Sequence, residues 1–132
     1  MAYVANYAIA LVSFLIIDFF WLGFVAKDFY QNQIGHLLRE KFLMLPAFIF
    51  YLIFVFGLLI FAVYPALSEN SLQKALILGG LFGFMAYATY DLTNLATLRD
   101  WPILVTIVDM VWGTVLGASV SALTLFIRNK LN

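Results

Sequence analysis

The chain has 132 residues, of which 65% are apolar or aromatic and only 11% are charged, and its formal net charge is zero. This composition, with a mean hydropathy of +1.02, excludes an ordinary soluble domain and is typical of a polytopic membrane protein. The charge balance excludes nucleic acid as an expected partner, and the absence of cysteine excludes disulfides, thiolate metal sites and cysteine nucleophiles. We therefore expect one domain, 1–132, whose principal partner is the lipid bilayer.

Four apolar runs are long enough to cross the hydrocarbon core, which takes about 20 helical residues. They cover roughly 4–26, 42–66, 74–98 and 102–127. Because open strands are unstable in lipid, these runs predict an all-α integral membrane protein built as a bundle of four transmembrane helices. The first run carries Asp18 and has no basic segment before it, so we expect a permanent span rather than a cleaved leader.

The connection between the first two spans reads KDFYQNQIGHLLREK. Tyr30, Ile34 and Leu37 fall at helical spacing with polar residues between them, which predicts a short interfacial segment lying on the membrane surface. The basic residues of the two faces differ by one, so the positive-inside rule gives only a slight preference for this connection being cytoplasmic. Such a balance is compatible with an antiparallel homodimer.

The other helix ends carry recognisable signals. Pro46 and Pro102 suit the first turns of the second and fourth spans, and Ser71 is placed to cap the third. Small residues recur along the third and fourth spans, a spacing that permits close backbone approach between helices. They include Gly79, Gly83, Gly113 and Gly117.

Three of the spans each carry one aspartate: Asp18, Asp91 and Asp109. Each lies eight or nine residues from a predicted helix end, and alternating helix direction puts these three ends on the same face. The ends are Lys27, Arg99 and Trp101. At a rise of 1.5 Å per residue, each aspartate lies roughly 12–14 Å below that face. The spacing therefore predicts one layer of carboxylates slightly short of the midplane.

Polar and aromatic residues accompany these aspartates. On the third helix, Tyr87, Asp91 and Asn94 follow the spacing i, i+4 and i+7. The motif D-x-x-W occurs on the first and fourth helices, which indicates either a duplication or a shared packing role with each tryptophan beside its own aspartate. The predicted buried polar cluster comprises Asp18, Trp21, Tyr87, Tyr90, Asp91, Asn94, Asp109 and Trp112. Lys27 and Arg99 are predicted at its mouth, and Trp101 is interpreted as an anchor at the membrane interface.

Energetics favours a functional interpretation of the layer. Three unpartnered aspartates in lipid would cost on the order of 8–10 kcal/mol, and no Lys or Arg lies within a span to neutralise them. Hydrogen bonds, protonation or a bound cation must therefore offset the free-energy cost of burying these carboxylates. The leading hypothesis is a site that binds or translocates a proton, a cation or a small amphiphilic, lipid-like solute.

Two alternatives stay open. In the first, the protein is a metal-dependent, lipid-modifying enzyme in which Asp18, Asp91 and Asp109 hold Mg²⁺ or Mn²⁺ while Lys27 and Arg99 steer a phosphate head group. In the second, it is an accessory or structural subunit whose polar layer only fixes helix packing. No cofactor is evident apart from such a divalent cation.

Several stretches together resemble one known family. They are IDFFWLGFVAKDFY, GHLLR, AYATYDLTNLATLRDWP and VDMVWG. They resemble a family of small bacterial membrane proteins known as a domain of unknown function, number twenty-one seventy-seven. The resemblance implies four spans in the bacterial inner (cytoplasmic) membrane and lends no activity. The motif residues it implies are Asp18, Trp21, Lys27, Asp28, Tyr30, Tyr90, Asp91, Thr93, Asn94, Trp101, Asp109 and Trp112.

Overall fold

The computed structural model describes residues 2–132, and within that range the protein is helical and contains no strand. Four helices are long and apolar enough to cross a membrane: α1 (Ala2–Val25), α3 (Met44–Glu69), α4 (Leu72–Thr97) and α5 (Ile103–Leu131). A shorter helix, α2 (Lys27–Ile34), and a single 3₁₀ turn (Gly35–Leu37) connect α1 to α3. The predicted all-α, four-span bundle with a short segment between the first two spans is confirmed.

The helix ends have local physical causes. Asn70 adopts a left-handed conformation with φ of 47° and ends α3. One residue later the Ser71 side chain accepts a hydrogen bond from the Lys74 backbone N–H at 3.0 Å, so this serine caps α4 as predicted. Pro46 lies in the first turn of α3, where its missing N–H removes no helical bond, and Pro102 immediately precedes α5.

Two spans contain a wide π-helical turn that the sequence patterns did not predict. In α1 the turn covers Trp21–Val25, and the Ala26 N–H donates to the Trp21 carbonyl, five residues back, at 2.8 Å. In α3 the turn covers Leu59–Val63 and is followed by Pro65, which has no N–H to donate. Such turns change the direction of side chains and are frequent at functional sites. The first one begins at Trp21, a predicted member of the cluster.

Glycines bring α4 and α5 into close contact. A Cβ built on Gly83 would collide with the Gly113 backbone oxygen, and one built on Gly117 would collide with that of Gly79. The close helix approach predicted from their spacing is therefore present. The close approach matters for the site because it fixes the distance between α4 and α5 at these glycines. Tyr87, four residues after Gly83, packs its ring against Gly113.

The centre of the bundle is apolar and joins α1, α3 and α5. Phe14, Val55, Leu58 and Leu116 are fully buried there. The outer surfaces carry many exposed large apolar side chains, which is the pattern expected where the surroundings are lipid. The Tyr7 hydroxyl donates to the Leu52 carbonyl at 2.8 Å and links α1 to α3.

Candidate functional site

A cavity of about 520 Å³ lies in the part of the bundle that α2 covers. Its volume is within the range of small-molecule sites. Asp18 and Asp109 contribute carboxylates to its wall, and each side chain belongs to a residue that is only 6% exposed. Aromatic residues form much of the remaining wall. They are Trp21, Tyr30, Phe42, Tyr51, Tyr87, Tyr90, Trp101 and Trp112.

Asp109 is held by a residue from α2. The Tyr30 hydroxyl donates a short hydrogen bond to Asp109 Oδ1 and accepts one from Trp21 Nε1 at 3.1 Å. Burial, and next to it the bond to Asp109, raises the pKa of the Tyr30 hydroxyl above its usual value, so it stays protonated and remains a donor. The chain from Trp21 through Tyr30 to Asp109 thus fixes α2 over the cavity.

Asp18 is held by a residue from α5. Trp112 Nε1 donates to Asp18 Oδ1 at 3.3 Å, and the Tyr51 hydroxyl of α3 faces the same carboxylate. The indoles of Trp21 and Trp112 stack with centroids 4.4 Å apart and planes 6° from parallel. The two D-x-x-W motifs are therefore paired crosswise. Trp112, from the second motif, donates directly to Asp18 of the first motif. Trp21, from the first motif, is connected through Tyr30 to Asp109 of the second motif. Neither aspartate is bound by the tryptophan of its own motif.

Asp91 is the most deeply buried of the three acids. It is 0% exposed, and neither carboxylate oxygen has a hydrogen-bond donor among the described residues. Its carboxyl group and that of Asp109 are close enough to share a hydrogen bond when one of them carries a proton. A single proton between the two acids would supply the missing donor, because a pair of adjacent buried carboxylates is costly when both are ionised.

The structure brings most of the predicted cluster together, but not all of it. Asp18, Trp21, Tyr87, Tyr90, Asp109, Trp112 and the mouth residue Lys27 line the cavity. Asp91, Asn94 and Arg99 do not. Asp91 instead reaches the site through its contact with Asp109, and the Asn94 side chain lies near the Tyr90 hydroxyl.

The arrangement of acids differs from the ligand set suggested for a metal. Among residues 2–132, no group of three or more Asp, Glu, His or Cys side chains is arranged to hold a metal ion. Asp91 and Asp109 form one pair, whereas Asp18 reaches the cavity from α1 with partners of its own. Among the described residues the three acids are therefore divided into a pair, Asp91 and Asp109, and a separate carboxylate, Asp18.

Among the tryptophans and tyrosines of the wall, three were not assigned to the cluster from the sequence. Trp101 is only 8% exposed and donates through Nε1 to Thr106 Oγ1 at 3.1 Å, so it is part of the buried wall rather than an interface anchor. Tyr30 had a usable signal, because its spacing with Ile34 put it on the apolar face of α2. Tyr51 had none, since it is one of many aromatic residues in a uniformly apolar span.

The bond between Asp18 and Trp112 can be measured by a double-mutant cycle. We expect Asp18→Asn and Trp112→Phe to be coupled by about 1 kcal/mol in the free energy of unfolding, because Trp112→Phe removes the donor and Asp18→Asn removes the charge of the acceptor in the same hydrogen bond. The measurement is unfolding in mixed micelles. Trp101→Phe is the matched control, since its N–H serves Thr106, and its coupling to Asp18→Asn should be near zero. Equal coupling in both cycles would contradict the crosswise pairing.

Comparison with known proteins supports the resemblance noted from the motifs. The model of a family described as predicted membrane protein (DUF2177) matches residues 3–126. No curated protein and no solved structure matches the chain. The family match includes the whole of α3 and α4, most of α1 and α5, and every residue of the cavity wall. The chain therefore belongs to the DUF2177 family of predicted membrane proteins.

Proposed function

We propose that this protein binds a cation in the cavity in exchange for protons held on its buried aspartates, in the inner membrane of a bacterium. The observation that carries the proposal is the Asp91–Asp109 pair. Both residues are buried in a membrane-spanning bundle, and within residues 2–132 neither forms a salt bridge with a basic side chain. They adjoin a cavity that a small molecule can occupy.

Charge balance provides the mechanism. Buried carboxylates in lipid need either protons or a positive partner, because an isolated ionised carboxylate there is costly. A cation bound beside Asp18 and Asp109 supplies the positive charge that the carboxylates need. The proton shared by Asp91 and Asp109 is then no longer required and leaves. When the cation departs, a proton returns to the pair. Cation and proton thus compete for the same negative charge.

The hydrogen-bond network makes the acids responsive to one another. Tyr30 joins Asp109 to Trp21, and Trp21 stacks on Trp112, which binds Asp18. A change of charge at either acid therefore alters contacts at the other. Transport across the whole membrane also requires an opening toward the opposite face. We propose that a second copy of the chain supplies it, in the dimer compatible with the balanced loop charges.

The test is proton release on cation binding. Purified protein in weakly buffered phosphatidylcholine nanodiscs receives the chloride of sodium, potassium, magnesium, tetramethylammonium or tetraphenylphosphonium, and a pH dye records released protons. We expect at least one cation to release protons in a saturable manner. The variant that carries Asp18→Asn, Asp91→Asn and Asp109→Asn should release none.

The control is a helical circular dichroism spectrum equal to that of the wild type, which shows that the variant is folded. Asp91→Asn alone is a milder companion, since its amide can still donate to Asp109. Failure of every cation to release protons from folded wild-type protein would overturn the proposal and favour a structural role. Stabilisation by magnesium without proton release would also overturn it and favour the metal-dependent enzyme.

A further inference from the structure

We infer that the cation is a lipophilic organic cation and that it reaches the cavity sideways from the bilayer, between α1 and α3. The inference rests on the proposed function and names the class of ligand and its route. Three features carry it: the aromatic wall, the distribution of charge, and an apolar groove that meets the cavity at Asp18.

The aromatic wall favours an organic cation over a hydrated inorganic ion. Cations with apolar surface bind the faces of Trp and Tyr rings, and such contacts strengthen when they are desolvated. Tyr90 and Trp101 both line the cavity and pack edge to face, with planes at 88° and ring centroids 5.6 Å apart. Within residues 2–132 the cation–π contact present is Lys130 over Phe126, away from the cavity, so no protein cation occupies these rings.

The charges that line the cavity are mostly negative. Asp18 and Asp109 are buried in its wall, whereas Lys27, its one cationic lining residue, is exposed. The two carboxylates would therefore repel an anionic head group and attract a cation. Lys27 lies at the α2 side of the cavity and repels a cation that approaches from the water there.

A groove of about 770 Å³ offers a route that avoids Lys27. It runs between α1 and the start of α3 and is lined by apolar side chains such as Leu15, Phe19 and Met44. Its only charged lining residue is Asp18. The groove and the cavity share five residues, Asp18, Leu22, Gly23, Phe42 and Tyr51. An amphiphilic cation can thus keep its apolar part in the groove while its charge contacts Asp18.

The ligand class is tested with two ions of the same shape and opposite charge. Tritiated tetraphenylphosphonium and tritiated tetraphenylborate are titrated onto the wild-type protein in phosphatidylcholine nanodiscs, and binding to empty nanodiscs is subtracted. We expect saturable binding of the phosphonium alone, and a loss of at least about tenfold in its affinity in Asp18→Asn. Equal or preferential binding of the borate, or no saturable binding of either ion, would overturn the inference without any variant.

The route is tested at Gly23, where groove and cavity meet. A Cβ at this position contacts only the Phe19 ring, at 3.9 Å, so Gly23→Ala is tolerated. Gly23→Leu fills the junction, and we expect phosphonium association at least about tenfold slower than in Gly23→Ala. Lys27→Gln should change the rate less than Gly23→Leu does, because a ligand that enters through the groove does not pass Lys27. An unchanged rate in Gly23→Leu together with a faster one in Lys27→Gln would place the route at the α2 side and overturn lateral access.

The two proposals fail in different ways. Phosphonium binding without proton release would overturn the exchange mechanism and leave the ligand class standing. Proton release by sodium or potassium, with no phosphonium binding, would overturn the ligand class and leave the exchange mechanism standing.

Discussion

Gly83→Ala is expected to destabilise the bundle by about 3 kcal/mol, because its new Cβ collides with the backbone oxygen of Gly113. Backbone cannot move aside as a flexible side chain can, so α4 and α5 must separate. Their separation also displaces Tyr87 and Asp91 relative to Asp109, so phosphonium binding should fall along with stability. The measurement is the free energy of unfolding in mixed micelles, with ligand binding measured on the same sample.

Gly80→Ala is the matched control, three residues away on the same helix. Its Cβ would meet Thr114 Cγ2 at 3.4 Å and Ala118 Cβ at 3.7 Å, which are ordinary contacts. We expect a change within about 1 kcal/mol, the size of the difference in helix propensity between the two residues. If Gly80→Ala and Gly83→Ala were equally stable, the close backbone approach at Gly113 would not exist in the membrane.

Tyr30→Phe is expected to have the second-largest effect, about 2 kcal/mol of stability, because it removes the hydroxyl that serves Asp109. The Trp21 N–H loses its acceptor through the same change. Since this hydroxyl ties α2 to α5, we also expect backbone amides in Lys27–Leu37 to exchange with deuterium faster. Hydrogen exchange read by mass spectrometry measures this effect directly.

The control for Tyr30→Phe is Tyr7→Phe, which removes the hydroxyl that donates to the Leu52 carbonyl. This bond is to a neutral acceptor and joins α1 to α3, so its loss should cost about 1 kcal/mol and leave exchange in α2 unchanged. Faster exchange in α2 in both variants would mean that α2 responds to general loosening of the bundle. Unchanged exchange in Tyr30→Phe would mean that the hydroxyl does not hold α2 in place.

Counting residues along each span predicted the lengths of the helices and the position of each aspartate along its helix. Each aspartate has a fixed number of residues between itself and the end of its helix, and helical rise converts that number to depth regardless of packing. This explains why Asp18 and Asp109 meet one cavity and why Asp91 reaches Asp109. The glycine spacing was equally informative, since small residues at every fourth position have few roles other than helix contact.

The rotation of each helix about its own axis could not be predicted in the same way. The π-helical turn at Trp21–Val25 adds a residue to one turn, and no local composition marks it. Consequently the sequence could not show that Trp21 would lie near Tyr30 while Trp112 bound Asp18. In α3 the side chains are apolar on all faces, so the pattern gave no inner face and Tyr51 could not be distinguished from its neighbours.

The crosswise pairing of the two D-x-x-W motifs makes the contact between α1 and α5 cooperative. On α1, Asp18 accepts a hydrogen bond from Trp112 of α5. Trp21, also on α1, donates to Tyr30, which in turn is bonded to Asp109 of α5. Sliding one helix past the other by a single turn, about 5.4 Å, breaks both connections at once. Because the same displacement affects both connections, we expect them to be lost together rather than one after the other.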